Sequence, residues 1–285
     1  MTKLPPRLTI SNYELHSFTL AVKTRFGMDF TNYEPKSLKR GLVRLINKYQ
    51  LESMFGLWSA MLYDKELIIQ YVDELLVNLT EFFRNTSLWQ FLRKDLLPKL
   101  ILNSHIKVWH AGCSTGEEPY SLAIVLKQMG LLDRVDLMAT DLSSKALTIA
   151  KRGIYNNVLW PACERSFFRY APNEKIDRYF LKQKEEFYIV EPMNSKVQFK
   201  RHNLVQEQAP GKYKLIFCRN VMIYFDLSLK EKVLTKIYNA LDDDGYLIIG
   251  FYDMMPETLR DMFTIHCPTN RIYTKNLACK PNLNK

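Results

Sequence analysis

Hydrophobic and polar positions change rhythm along this chain of 285 residues. Over residues 10–76 the apolar positions recur at helical spacing. One helix is predicted to open at Asn12 or Ser17 and to run to about Phe26, with Gly27 ending it. A second starts at Pro35, a favoured first-turn residue, and sets Leu38, Leu42, Leu45 and Ile46 on one side. From about Ile106 strands and helices alternate, the mark of a parallel α/β sheet. Ile106–Trp109 and Val135–Thr140 read as buried strands. A helix from Pro119 to Met129 lies between them, and another follows through Ala146, Leu147 and Ala150. Leu215–Cys218 and Tyr246–Gly250 continue the sheet, with a helix over about Lys230–Leu241 that Gly245 is placed to end. Met262–His266 and Arg271–Tyr273 read as a closing antiparallel hairpin. Residues 154–200 break the rhythm with aromatic clusters (Phe167, Phe168, Tyr170, Tyr179, Phe180) and strand-like runs at Phe187–Val190 and Lys196–Phe199. They read as an inserted antiparallel subdomain.

Composition narrows the classes. Hydrophobic residues make up 47% and charged residues 25%, ordinary values for a globular protein. No apolar stretch reaches spanning length and Met1–Ser17 carries no basic-then-apolar leader, so a cytoplasmic protein is expected, neither exported nor inserted in a membrane. The five cysteines form no CxxC pair, which argues against a disulfide framework or a metal site. A formal charge of +10 suits an acidic or polyanionic partner, or a basic surface kept for solubility. Lys36, Arg40, Arg44 and Lys48 stand at i, i+4 spacing on the second helix, with Lys39 beside them and only Glu34 before them. Such a stripe is either a solvated face or a docking face for an acidic partner. With so few acids interleaved, we favour docking.

The candidate chemistry begins where the first strand empties into Ala111-Gly112-Cys113-Ser114-Thr115-Gly116, followed by Glu117, Glu118 and Pro119. Strand, glycine loop and acid-headed helix form a pocket for a nucleotide-like ligand at the carboxyl edge of a parallel sheet. Acids in place of a Gly-Lys-Ser/Thr ending argue against a phosphate ligand and for a cationic cofactor with hydroxyls and an amino group. Cys113 reads as a loop-filling residue more than as a nucleophile, since no base stands at a recognisable spacing. Glu117 follows the first strand, Asp141 ends the second, where it can accept two ribose hydroxyls, and Asn220 follows the run ending at Cys218. One strand-end acid is commonly a turn former; three at successive strand ends point to a ligand site. Before the sheet, Asn78-Leu79-Thr80-Glu81-Phe82-Phe83-Arg84 reads as a helix start capped by Asn78 or Thr80. Alternatively, the two rings anchor Arg84 so that its guanidinium grips a carboxylate.

Taken together, NLTEFFRN, VWHAGCSTGEEPYSLA, ATDLSSKALTIAKRGIY, VQFKRHNL and IFCRNVMIYFD closely resemble the CheR family of chemotaxis-receptor methyltransferases, in order and at family-like spacing up to about Gly250. The resemblance implies an N-terminal helical domain at 1–76 and a class I, Rossmann-like α/β methyltransferase sheet at 77–285, with a small antiparallel β-subdomain inserted at about 154–200. It implies methyl transfer from S-adenosylmethionine (SAM) to receptor glutamates, leaving S-adenosylhomocysteine. Carried over by motif, Asn78, Thr80, Arg84, Glu117, Asp141, Asn203, Leu204, Asn220 and Val221 would bind the cofactor, with Arg84 and Tyr224 near the transferred methyl. Lys36, Lys39, Arg40 and Arg44 would face the acidic helical bundle of the receptor, and the β-subdomain would take a receptor tail by strand addition or merely cover the cofactor. A monomer that binds no nucleic acid is expected. Two segments depart from the family pattern: Trp109-His110, where a small or hydroxyl residue is usual, and Gly250-Phe251-Tyr252-Asp253, where a Gly-x-Ser-Glu-like turn is common. Methylation of another acceptor, such as nucleic acid, or a SAM-binding docking module without turnover are the rival readings.

Overall fold

The computed structural model describes residues 9–64, 66–75, 80–101 and 104–278. The chain separates into two compact units, Met1–Val77 with Ile223–Leu229, and Asn78–Met222 with Lys230–Lys285.

The first unit holds α1 (Asn12–Phe26), α2 (Pro35–Lys48), α3 (Met54–Tyr63) and α4 (Glu66–Leu75). α1 starts at Asn12, as one of the two expected positions has it, and the residue that caps it is Ser11. Its hydroxyl accepts from Glu14 N while the Glu14 carboxylate accepts from Ser11 N, a reciprocal cap that neither Asn12 nor Ser17 makes. In α2 the Glu34 carboxylate caps Ser37 N and Pro35 occupies the first turn. Leu15, Phe18, Val22, Leu42, Leu45, Met61 and Tyr71 are buried between the helices. Residues 223–229 belong to this core: the Tyr224 carbonyl accepts from Glu34 N at 2.8 Å, and Phe225 packs edge-on against Tyr33 at 5.1 Å.

The second unit begins with a turn at 80–85, then α5 (Thr86–Phe91), which continues through a π-helical turn at Leu92–Leu96 into α6 (Leu97–Ile101). The helix therefore starts at Thr86, later than capping by Asn78 or Thr80 would place it. The positive φ of Phe83 and Asn85 (53° and 58°) keeps the preceding residues out of helix. Then follow β1 (Ile106–Ala111), α7 (Glu117–Gln128), β2 (Val135–Asp141), α8 (Ser144–Arg152), β3 (Ile154–Asn156), α9 (Trp160–Tyr170), β4 (Phe180–Lys182), β5 (Glu186–Ile189) and α10 (Met193–Lys196). The chain finishes with β6 (Val197–Arg201), β7 (Tyr213–Cys218), α11 (Leu227–Ala240), β8 (Leu241–Ile249), β9 (Phe263–Cys267) and β10 (Ile272–Lys275).

The main sheet has the order β6-β2-β1-β7-β8-β10-β9, parallel from β6 to β8 and antiparallel beyond. Strand order reverses between β1 and β7, so the crevice at their carboxyl ends is the expected ligand position. A separate antiparallel sheet of order β3-β5-β4 forms the insert, packed by Phe82, Tyr155, Trp160, Phe180 and Phe187.

Two sequence expectations fail here. The run Lys196–Phe199 is not part of the insert: Val197–Arg201 pairs in parallel with Leu137–Asp141 as an edge of the main sheet, and Phe199 packs on Tyr120 of α7. Its alternation fits either sheet, and only the long-range pairing decides. Gly245 does not end a helix. α11 stops at Ala240, and Gly245 lies within β8 where the register with β7 jumps between Tyr213 and Leu215. A Cβ there would stand 2.9 Å from the Asp242 carbonyl, so the glycine serves that irregular step. Among the described residues no helix is long and apolar enough to cross a membrane.

Candidate functional site

At the carboxyl end of β1 the loop folds back on β2. Gly112 N and Cys113 N both donate to the Thr140 carbonyl, at 2.8 and 2.9 Å. Asp141, which ends β2, accepts from Ser114 N through Oδ2 (2.7 Å) and from Ser143 N through Oδ1 (2.9 Å). Its carboxylate thus fastens the glycine loop to the start of α8. Gly112 takes φ +84°, and a Cβ there would stand 2.3 Å from Val221 Cγ2. The glycine makes room for Val221 beside the loop. Cys113 is buried, and burial pushes its thiol well above the ordinary value, so it stays protonated and fills space.

The two glutamates that head α7 have different fates. Glu117 is 2% exposed and accepts a 2.7 Å bond from the Thr115 hydroxyl. Burial pushes its carboxyl up to about 7, against the smaller lowering effect of Thr115. A carboxyl in this state gains from a cationic ligand. Glu118 is bound on both oxygens, Oε1 to His110 Nδ1 and Oε2 to Arg219 Nη1, each at 2.9 Å. Burial alone would raise it, but the His110 hydrogen bond and the Arg219 charge outweigh burial and hold it below the usual carboxylate range. His110 stacks on Phe217 at 4.4 Å and bonds Glu118 at the head of α7.

Arg84 stands at the convergence of this network. Phe82 meets Tyr155 and Phe180 edge-on, and Phe83 stacks on Tyr170 at 4.6 Å. Phe83 N donates to Ser121 Oγ of α7 at 2.9 Å. The Arg84 carbonyl accepts from Trp89 Nε1 (3.0 Å) and Arg219 Nη2 (3.5 Å), and Arg219 Nη2 also donates to Asn85 Oδ1. The guanidinium itself donates from Nη1 to Asn220 Oδ1 at 3.2 Å. Asn220 has φ +60°, and its N–H donates to Asp253 Oδ2 at 2.6 Å. Consecutive residues, Arg219 and Asn220, therefore hold the backbone and the side chain of Arg84, and each is anchored by an acid, the partly buried Glu118 and the buried Asp253.

Of the residues expected at the cofactor, Thr80, Arg84, Glu117, Asp141, Asn220 and Val221 are described within the second unit, whereas Asn78 lies outside the described residues. Asn203 and Leu204 follow β6, but the Asn203 side chain is committed to its own loop. Its Oδ1 accepts from Val205 N and Gln206 N, at 3.0 and 3.2 Å. Lys236 Nζ of α11 anchors that loop through the carbonyls of Leu204, Val205 and Glu207. Tyr224 belongs to the first unit, and its expected role rests on the motif alone. In α2, Lys36 and Arg40 are exposed, but Arg44 and Lys48 share Glu74 of α4 at 3.2 and 3.5 Å, an acid too distant in sequence to be counted against the stripe. Sequence reasoning noted Glu118 only as an acid heading α7 and Asp253 only within a departing segment, and gave no role to Arg219 or Lys236. For Asp253 a signal was its place three residues after Gly250, a spacing that lets a carboxylate cap its own turn.

The family described as "CheR methyltransferase, SAM binding domain" matches residues 78–271. The chemotaxis protein methyltransferase of Vibrio parahaemolyticus is 31% identical over 280 residues, covering 93% of this chain and 98% of that protein. The chemotaxis protein methyltransferase of Borreliella burgdorferi is 37% identical over 221 residues, covering 73% and 74%. That of Listeria innocua is 32% identical over 235 residues, covering 82% and 87%.

Proposed function

Because this chain belongs to the CheR methyltransferase family, we propose that it methylates glutamate side chains of chemotaxis receptors, consuming S-adenosylmethionine. The observation that carries this reading is a cradle of buried carboxylates beside an arginine locked from two sides. Glu117, buried with the Thr115 hydroxyl bond and a backbone hydrogen bond too weak to offset desolvation, suits a cationic cofactor, and Asp141 suits its hydroxyls. SAM supplies an electrophilic methyl group on a sulfonium.

Thr80, Glu117, Asp141, Asn203, Leu204, Asn220 and Val221 would bind this cofactor, Asn203 by its backbone since its side chain is engaged in its loop. Arg84 would orient the incoming carboxylate. An ionised carboxylate is already a nucleophile, so no general base is required of the protein. Over-tight pairing would lower its nucleophilicity, and the bond from Arg84 to Asn220 tempers the guanidinium by sharing it. The exposed Lys36 and Arg40, with Lys39 and Arg44, would steer the acidic receptor bundle to α2. An edge of the β3-β5-β4 sheet would accept a receptor tail as an added strand.

The test is incubation with labelled SAM and candidate chemoreceptors. Label that enters receptor protein and is released by mild alkali, as a carboxyl methyl ester must be, is the expected result. Alkali-stable label, or label entering RNA or DNA instead, would displace the reading.

A further inference from the structure

The turn after β8, Gly250-Phe251-Tyr252-Asp253, holds a carboxylate aimed at the site. Asp253 is 1% exposed, and its Oδ2 accepts from Gly250 N at 2.8 Å and Asn220 N at 2.6 Å. A Cβ at Gly250 would stand 2.6 Å from both Asn220 N and Asp253 Oδ2, so glycine at this position permits the approach. Asn220 takes φ +60°, uncommon for a residue with a side chain and stable only when the surroundings enforce it. The short bond from its N–H to a carboxylate is such an enforcement. With the backbone so set, Asn220 Oδ1 meets Arg84 Nη1 at 3.2 Å.

We infer that Asp253 is a positioning residue for methyl transfer: it fixes the backbone of Asn220 so that Asn220 holds Arg84 in its working orientation. This rests on the methyl-transfer reading above and extends it to a residue that never needs to touch either substrate. A purely structural alternative exists, since the bond to Gly250 N would cap the turn whether or not Asn220 were engaged. The two differ in whether the effect of Asp253 passes through the side chain of Asn220.

A double-mutant cycle separates them. Methyl transfer to receptor and S-adenosylhomocysteine affinity by calorimetry are measured for Asp253→Ala, Asn220→Ala and the double variant. Asp253→Ala is expected to lower kcat about tenfold, Asn220→Ala to do the same, and the double variant to lose no more than about twofold further. Losses that multiply, or an Asp253→Ala enzyme keeping more than about half its turnover, would overturn the inference. Should Asp253→Ala fail to fold, Asp253→Asn keeps an acceptor oxygen in place; about threefold loss, absent in the Asn220→Ala background, is then expected, and equal loss in both backgrounds refutes it. If the wild-type protein labels no receptor, the acceptor reading falls by itself. The cycle is then decided on S-adenosylhomocysteine affinity, where non-multiplying losses support the role of Asp253 and multiplying losses reject it.

Discussion

Helix α2 and the surroundings of Arg84 are both rich in charge, but water treats them differently. On α2 the side chains of Arg44 and Lys48 are 44% and 49% exposed and divide one carboxylate, Glu74, between them. Pairs of that kind contribute about 0–1 kcal/mol each and are screened by salt. Beside Arg84, the side chains of Arg219 and Glu118 are 3% and 15% exposed and face each other at 2.9 Å. There the Arg219 charge depends on its partner, because it is almost wholly shielded from solvent. The first arrangement suits the capture of an acidic surface; the second suits the holding of a geometry. Cations on α2 can be exchanged at little cost in stability, whereas those at the site cannot.

The contrast breaks most visibly at Glu118. Glu118→Ala strands the Arg219 guanidinium in the interior and should cost about 3–5 kcal/mol in denaturant unfolding; a loss below about 1 kcal/mol would mean that the pair is solvated. Because its folded pKa is lowered, the stability from Glu118 is present above its ordinary value of 4.5 and is lost as pH falls through the folded value.

Glu117 sharpens the comparison with the opposite sign. Its carboxyl is raised from 4.5 to about 7, so the folded chain holds a proton that the unfolded chain has released between those values. Stability from this group is full below 4.5 and is lost as pH rises through about 7. The span is about 3 kcal/mol, and Glu117→Gln should flatten that part of the stability profile. Cofactor affinity, read by calorimetry, should climb through the same window in the wild type and stay level in Glu117→Gln.

The smallest effect belongs to α2. Lys36→Glu combined with Arg40→Glu should change stability by less than about 0.5 kcal/mol. The KM for receptor should rise about tenfold at low salt and approach the wild-type value near 1 M salt. A defect that persists at high salt would show that these residues do more than steer.

How far the chain could be read without coordinates follows the same division. Local patterns carried the α/β alternation, the start of α2 at Pro35 and the strand ends at Asp141 and Cys218, because hydrophobic period and turn chemistry act over a few residues; β1 runs two residues past the expected Trp109, to Ala111. The assignment of Val197–Arg201 to the insert failed because an alternating pentapeptide suits either sheet and its partner strand lies some sixty residues upstream (Leu137–Asp141). The residues around Arg84 were half legible. Arg84 and Asn220 stood out by motif, but Glu118 holds Arg219, which bonds the Arg84 carbonyl, and Asp253 holds Asn220, through contacts spanning 101 and 33 positions, respectively. No periodicity encodes such a pairing. The apparent charge density of α2 was overstated for the same reason, since Glu74 sits 30 positions from Arg44.

The contact between Gly112 and Val221 carries an evolutionary consequence. The space an alanine at 112 would occupy is already filled by a methyl of Val221, at 2.3 Å, and the backbone there is left-handed. Neither position is free to drift by itself. Across descendants of this chain 112 should stay glycine even where 221 has shrunk, because the left-handed backbone strains any side chain there, whereas 221 can shrink alone only by leaving a void beside the loop. Loop and neighbouring strand end are thus inherited as a matched set.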